Sequence, residues 1–291
     1  MNQILSRPAR AKLNLFLRVL GRETGGYHHL ETLFARIQLA DTVSARRVEP
    51  GLVTLLTPGA TRLGPDEENL AVRAARAVIE SLRSPIGVEL TLAKRIPAGA
   101  GLGGGSADAA AALLLVNELA GNAVPRSELF LLATRLGADV AFCLSEAPLA
   151  LGWSRGERLM VLPPLPPAPI LLVSPGVPVA TAEAYHWLVE SRTEPVRRGA
   201  VVLDPASLSR WSDVARMAGN DFESVVFARR PEVRAAFEAL ARTGPLVCRM
   251  TGSGSTLFAV YRSERERDQA GMMLGRKHGV VTPSETAAGY P

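Results

Sequence analysis

Cysteine is nearly missing from this chain: Cys143 and Cys248 are the only two, both in apolar stretches. That excludes a disulfide framework and a thiolate metal site, and two reduced, buried thiols are expected. Histidine is scarce as well, with four in all, too few for an imidazole-built metal cluster. Aromatic residues make up 5% of the chain, which leaves no stacking platform for single-stranded nucleic acid. No apolar run reaches the length of about eighteen residues that a membrane-crossing helix needs. The N-terminal stretch MNQILSRPARAKLNL has neither an apolar core nor a small-residue cleavage site, which points to the cytoplasm. The net charge of +5 comes from scattered basic residues rather than a dense block with interleaved aromatics. It fits a basic surface, or the attraction of a small polyanionic substrate, and not a nucleic-acid partner.

What is present is ordinary for a globular enzyme: 47% hydrophobic and 21% charged residues over 291 positions, enough for two domains with their own cores. The segment Leu162 to Pro169 carries five prolines in eight residues and cannot be regular structure. It divides the chain into residues 1–160 and 161–291. The first part is β-rich at its start. From Ala11 a period of two sets Lys12, Asn14, Phe16 and Arg18 on one face and Leu13, Leu15, Leu17 and Val19 on the other. Lys12 and Asn14 thus lie side by side, about 7 Å apart by strand rise. A loop over Gly21 to His29 and strands over Leu30–Leu39, Asp41–Arg47 and Leu52–Leu56 follow. Then come a helix over Asn69–Leu82, a strand over Gly87–Ile96, and helices over Ala107–Leu119 and Arg126–Leu136. The second part mixes strands (Ile170–Ser174, Leu246–Met250, Thr256–Tyr261) with helices (Ala182–Glu190, Pro231–Thr243, Glu264–His278).

Between a strand and a helix, the run from Pro97 to Asp108 packs five glycines into the seven positions Gly99 to Gly105. Glycine permits positive φ and lets backbone N–H groups approach a ligand with no Cβ in the way, while a helix N-terminus behind adds partial positive charge. The run therefore reads as a phosphate cradle. Gly99-x-Gly101-x-x-Gly104 fits the dinucleotide fingerprint, but no second strand ends in an acid about 20 residues on. Gly99-x-x-x-x-Gly104 fits the start of a P-loop, but Gly105-Ser106 stands where Lys-Ser or Lys-Thr belongs. His-Arg-Asp and Asp-Phe-Gly signatures are missing too. A bare strand-to-helix turn, with Ser106 as N-cap and Asp108 in the first helical turn, needs no glycine run.

The run Pro97-Ala98-Gly99-Ala100-Gly101-Leu102-Gly103-Gly104-Gly105-Ser106-Ala107 resembles the nucleotide-binding loop of the galactokinase, homoserine kinase, mevalonate kinase and phosphomevalonate kinase (GHMP) superfamily. Six further stretches fall in the order of one branch of it, whose acceptor is a cytidyl diphosphate alcohol of the non-mevalonate isoprenoid route. They are Ala11–Leu15, Gly26–Phe34, Gly137–Phe142 with Arg155–Glu157, Asn220–Glu223 and Met250–Ser255. The resemblance implies an α+β, two-domain small-molecule kinase. Its N-terminal ATP-binding domain would be like domain 2 of ribosomal protein S5, and its C-terminal substrate-side domain ferredoxin-like. It implies ATP bound along Pro97 to Ala107, and no partner beyond small molecules and, at most, a second copy of the chain.

An alcohol kinase must align the hydroxyl with the γ-phosphoryl group, take its proton and stabilise charge on the equatorial oxygens. The resemblance makes Asp139 the base and Lys12 its partner. Asp139 follows Gly137 at a helix end, where a carboxylate is disfavoured by the dipole. Read without the resemblance, Lys12 is a solvated strand lysine, whereas the locally unfavourable place of Asp139 points mildly to function, with a turn-forming Asp as the alternative. The resemblance also places a cytosine on Tyr27 and His28, with Tyr185 as a second wall and Asn14 holding the substrate near Lys12. Gly25, His29 and Ala141 depart from the usual Asp, Glu and Pro. Magnesium is implied by the chemistry with no dedicated carboxylate in view, and the Ser106 hydroxyl is one candidate ligand.

Overall fold

The structure, a computed structural model, describes residues 3–22, 28–59, 65–84, 86–192 and 203–287. Two long antiparallel strands, β1 (Ile4–Arg22) and β2 (His28–Val48), form its spine. The sequence suggested a break near Ala40, yet β2 runs unbroken. Its first half pairs with one neighbour and its second half with another, so its polarity pattern changes midway without a turn. Irregularities in the β1–β2 register fall between Arg10 and Lys12, Asn14 and Phe16, and Val19 and Gly21. Such bulges bend a strand and re-aim its side chains.

Around the spine lie β3 (Val53–Leu56), α1 (Leu70–Glu80), β4 (Gly87–Ala93), α2 (Gly104–Leu119), α3 (Arg126–Leu136), α4 (Ala138–Ser145), β5 (Leu149–Ser154) and β6 (Arg158–Leu162). The sheet order is β3-β4-β2-β1, with β5 on the first half of β2 and β6 on β5. Strand β4 stops three residues short of the expected Ile96. The Asp41 carboxylate accepts from the N–H groups of Arg95 (2.5 Å) and Ile96 (2.8 Å), drawing the chain out of the ladder toward the glycine run. Helix α1 starts on Asn69, whose side chain accepts from Ala71 N at 2.9 Å. The alanine-rich α2 is buried from Ala107 to Leu113, and its small side chains let it pack against Ala71, Ala74 and Ala75 of α1. A helix apolar on nearly every side belongs inside a layer, and α2 lies there.

The remaining elements are β7 (Pro169–Ser174), α5 (Thr181–Ser191), α6 (Trp211–Met217), β8 (Gly219–Asn220), α7 (Glu223–Arg229), α8 (Pro231–Ala241), β9 (Val247–Met250), β10 (Leu257–Val260), α9 (Glu264–Leu274) and β11 (Val280–Glu285). They build an antiparallel sheet of order β11-β7-β10-β9. Its strands alternate in register with the pleat: Leu171, Val173, Leu257 and Ala259 face α5, α7, α8 and α9, while Ile170, Leu172, Phe258 and Val260 meet Leu13, Phe16 and Ile37 of the first sheet. The two halves therefore share a core, and β8 adds a parallel pair to β1 at Phe16 and Leu17. This shared core explains why both faces of β1 are covered from Ala11 to Leu17. Cys143 is buried, with its thiol pushed up to about 12 by burial, whereas Cys248 is only half-buried, contrary to expectation.

Candidate active site

Both halves border a cleft of about 1650 Å³ lined by the glycine run, the start of α4, and residues of β1, β2 and α5. Pockets for one drug-sized ligand span about 300–1,000 Å³, so this one has room for two nucleotide-sized molecules.

The cradle differs from expectation at its helix end. Helix α2 begins at Gly104, and its N-cap is Gly103 in the left-handed region (φ +70°), not Ser106. Ser106 sits within the first turn, and Asp108 lies beyond it. The first intrahelical bond runs from Ala107 N to Gly103 O (2.9 Å), so the N–H groups of Gly104, Gly105 and Ser106 have no intrahelical acceptor. They are available to an anion at the positive end of the helix. Two glycines are required by close approach. A Cβ on Gly103 would lie 2.9 Å from Lys12 Cγ and Cε, and one on Gly101 would lie 2.3 Å from the Thr251 carbonyl oxygen. The cradle is thereby pressed between Lys12 on one side and the loop joining β9 and β10 on the other.

Lys12 is 3% exposed, not a solvated strand lysine. Its Nζ lies 3.1 Å from Asp139 Oδ2 and 2.7 Å from Asn14 Oδ1. Asp139 also departs from expectation: Gly137 ends α3 but at once caps α4, so Asp139 stands in the first turn of a new helix, where the dipole favours a carboxylate. The far end of α4 is tied to β2 by Arg36, whose guanidinium donates to the carbonyls of Phe142, Cys143 and Ala147 at 2.9–3.2 Å.

Asn14 is engaged on both ends of its amide. Oδ1 also accepts from Gly252 N (3.0 Å), and Nδ2 donates to Thr32 Oγ1 (2.8 Å). The facing loop is held by Asn220, whose Nδ2 donates to the Met250 and Gly252 carbonyls at 2.8 Å, and by Glu223, which accepts from Met250 N at 2.8 Å. Burial pushes the Glu223 carboxyl up to about 7, against the pull of that N–H and of Arg249.

Behind the cradle, Lys94 is paired with Asp41 and with Asp108 (2.8 Å to Oδ2). Asp108 is 3% exposed, its Oδ1 has no hydrogen-bond partner among the described residues, and burial raises its carboxyl to about 7 despite Lys94. A Cβ on Gly104 would lie 3.4 Å from Lys94 Nζ, so this lysine stands against the cradle wall. Sequence reasoning passed over Lys94 and Thr32. The only trace of Lys94 was a basic residue just ahead of the glycine run, and Thr32, inside the matched stretch Gly26–Phe34, was given no role of its own.

At the other end of the cleft, the His28 and Tyr185 rings stack at 4.7 Å with 18° between planes, and Phe222 meets Tyr185 edge-on at 4.9 Å. Two rings in contact leave no slot between them for a base, so a planar ligand has the free edge or outer face of this pair. Burial pushes the Tyr185 phenol up to about 12, keeping it a neutral donor. Tyr27 lies outside the described residues, as does Gly25.

A glycine cradle ending on a helix N-terminus, a Lys–Asp pair at its mouth and a cleft shared by two α/β halves define a small-molecule kinase of the GHMP type. Residues 69–147 match the GHMP kinases N terminal domain and residues 205–280 the GHMP kinases C terminal domain. Over 92% of its length the chain is 40% identical to a 4-diphosphocytidyl-2-C-methyl-D-erythritol kinase from Solibacter usitatus, covering 84% of that protein. It is 36% identical to the enzyme so named from Parvibaculum lavamentivorans, over 96% of both chains. A crystal structure of 4-(cytidine 5'-diphospho)-2C-methyl-D-erythritol kinase superposes with a TM-score of 0.79 at 36% identity, over 97% of this chain and 98% of that one. A homoserine kinase from Cytophaga hutchinsonii shares the fold, with a TM-score of 0.74 at 22% identity over 99% and 96%. The chain belongs to the 4-diphosphocytidyl-2-C-methyl-D-erythritol kinase family.

Proposed function

We propose that this protein transfers the γ-phosphoryl group of ATP to the 2-hydroxyl of 4-diphosphocytidyl-2-C-methyl-D-erythritol, within the non-mevalonate route to isoprenoid precursors. The observation that carries the mechanism is the 3.1 Å contact of Lys12 Nζ with Asp139 Oδ2 at the mouth of the glycine cradle. Asp139 takes the proton of the acceptor hydroxyl as its oxygen forms the new bond to phosphorus, and the bond from phosphorus to the bridging oxygen breaks, releasing ADP. Lys12 spends two N–H groups on Asp139 and Asn14 and keeps a third for the hydroxyl or a γ-phosphate oxygen. The N–H groups of Gly104, Gly105 and Ser106 hold the phosphates as the charge redistributes.

No group of three or more His, Cys, Asp or Glu that could hold a metal occurs among the described residues. Magnesium keeps several waters and needs only one or two protein oxygens, so it would be carried mainly by the nucleotide phosphates. The Ser106 hydroxyl is the protein group that would hold it, and it would neutralise charge on the phosphates. The cytosine docks on the His28–Tyr185 pair together with Tyr27. Stacking on such a surface contributes roughly 1–3 kcal/mol. No helix among the described residues is long and apolar enough to cross a membrane. Two cysteines without a disulfide suit the reducing cytoplasm.

ADP release with the cytidyl alcohol, mevalonate and homoserine as acceptors tests the reading. Turnover confined to the cytidyl alcohol is expected, and preference for either of the others overturns it.

A further inference from the structure

The buried hydrogen bonds behind Lys12 run further than the reacting pair needs. Lys12 Nζ donates to Asn14 Oδ1, as does Gly252 N. Both are donors only, so the amide atom facing them must be the oxygen. The nitrogen then points the other way, to Thr32 Oγ1 at 2.8 Å. Thr32 is wholly buried, and its single hydroxyl proton goes to the Phe16 carbonyl at 2.7 Å, which leaves its lone pairs for Asn14 Nδ2. The backbone also fixes both ends: Thr32 pairs with Leu17, and the β1 irregularity between Asn14 and Phe16 lies in the ladder beside it. A bulge there lets two neighbouring β1 residues serve Thr32 at once, one by its side chain and one by its carbonyl.

We propose that Thr32 is a positioning residue for phosphoryl transfer: anchored to the Phe16 carbonyl, its hydroxyl holds the Asn14 amide so that Lys12 is aligned on Asp139. Thr32 borders the cleft, but it is wholly buried and its hydroxyl is engaged by the Phe16 carbonyl and the Asn14 amide. It acts through Asn14, and because Asn14 also accepts from Gly252, the same amide ties the lysine to the loop of the second half of the molecule. The proposal rests on the reading of Lys12 and Asp139 as the reacting pair.

Thr32→Val keeps the shape and removes both bonds, while Thr32→Ser keeps the hydroxyl. Misplacing a catalytic group by an ångström costs up to about a hundredfold, so Thr32→Val is expected to lose about tenfold to a hundredfold in kcat. ATP affinity, read by binding of a fluorescent analogue, should hold, and Thr32→Ser should recover most of the rate. In an Asn14→Ala background Thr32→Val should cost nothing more, because the path through Asn14 is already cut. In wild-type enzyme, NMR should show a slowly exchanging Asn14 side-chain amide proton, a readout that needs neither turnover nor a variant that folds. Wild-type kcat in Thr32→Val, multiplying losses in the double variant, or an Asn14 amide exchanging as freely as a surface one overturns the proposal. A wild type inert toward the cytidyl alcohol overturns the functional reading instead, and the amide proton still decides for or against the link to Thr32.

Discussion

Lys12 and Asp139 meet at 3.1 Å although one lies on a strand near the start of the chain and the other opens a helix more than a hundred residues later. Each is held from behind by a different element, Lys12 by Asn14 on its own strand and Asp139 by α4, whose far end is pinned to β2 through Arg36. The pair is therefore set by the scaffold before any ligand arrives, and its two members can be varied separately. Asp139→Asn keeps an oxygen for Lys12 but cannot take a proton. Its turnover is expected to fall by at least about a hundredfold, the lower bound for general-base assistance, with ATP binding almost unchanged. Steady-state ADP release alongside a nucleotide-binding titration measures both, and near-normal turnover would remove Asp139 from the role of base.

Much of this geometry is local and was legible. The glycine run announces itself within seven positions, and a period of two puts Lys12 beside Asn14. Misreadings arose where one residue ends one element and begins the next. Gly137 closes α3 and caps α4 in one step, so Asp139 looked stranded at a negative helix end when it stands at a positive one. The burial of Lys12 was hidden because alternation reports which residues share a face, not what covers that face, and here the cover comes from Gly103 and Asn14. The roles of Thr32 and Lys94 could not be read from pattern, since the partners that define them, Asn14, Asp41 and Asp108, are 14 to 53 residues away. Helices α6 and α7, of seven residues each, are too short for a 3.6-residue period to show.

The cradle makes a second prediction, because its glycines are not equivalent. Gly99 (φ +65°) has nothing within 4 Å of an added Cβ, so Gly99→Ala costs only the left-handed backbone penalty of about 1–2 kcal/mol. Gly101 (φ +80°) would drive its Cβ to 2.3 Å from the Thr251 carbonyl, and backbone cannot swing aside as a side chain can. Gly101→Ala should therefore add an overpacking cost of about 1–3 kcal/mol and part the cradle from the facing loop. Thermal unfolding of the two variants should show the larger loss for Gly101→Ala. Equal losses would mean that the contact between the two loops is not close.

Stability should also depend on pH through Glu223, which supports that facing loop from behind. Burial raises its carboxyl to about 7 in the folded protein, whereas an unfolded glutamate titrates near about 4.3. Between those values the folded state holds a proton that the unfolded state has lost, so stability from this group is full below about pH 4 and declines as pH rises toward about 7. Asp108, raised to about 7 by burial, acts with the same sign. Glu223→Gln keeps a carbonyl oxygen for Met250 N and removes the titration. Relative to wild type, the variant should gain stability as pH rises from about 5 to about 7 and hold that gain above it. Urea unfolding of both proteins across this range reads the difference directly. A gap that stays constant from mildly acidic to mildly alkaline pH would show that Glu223 ionises in the folded protein as easily as in the unfolded one.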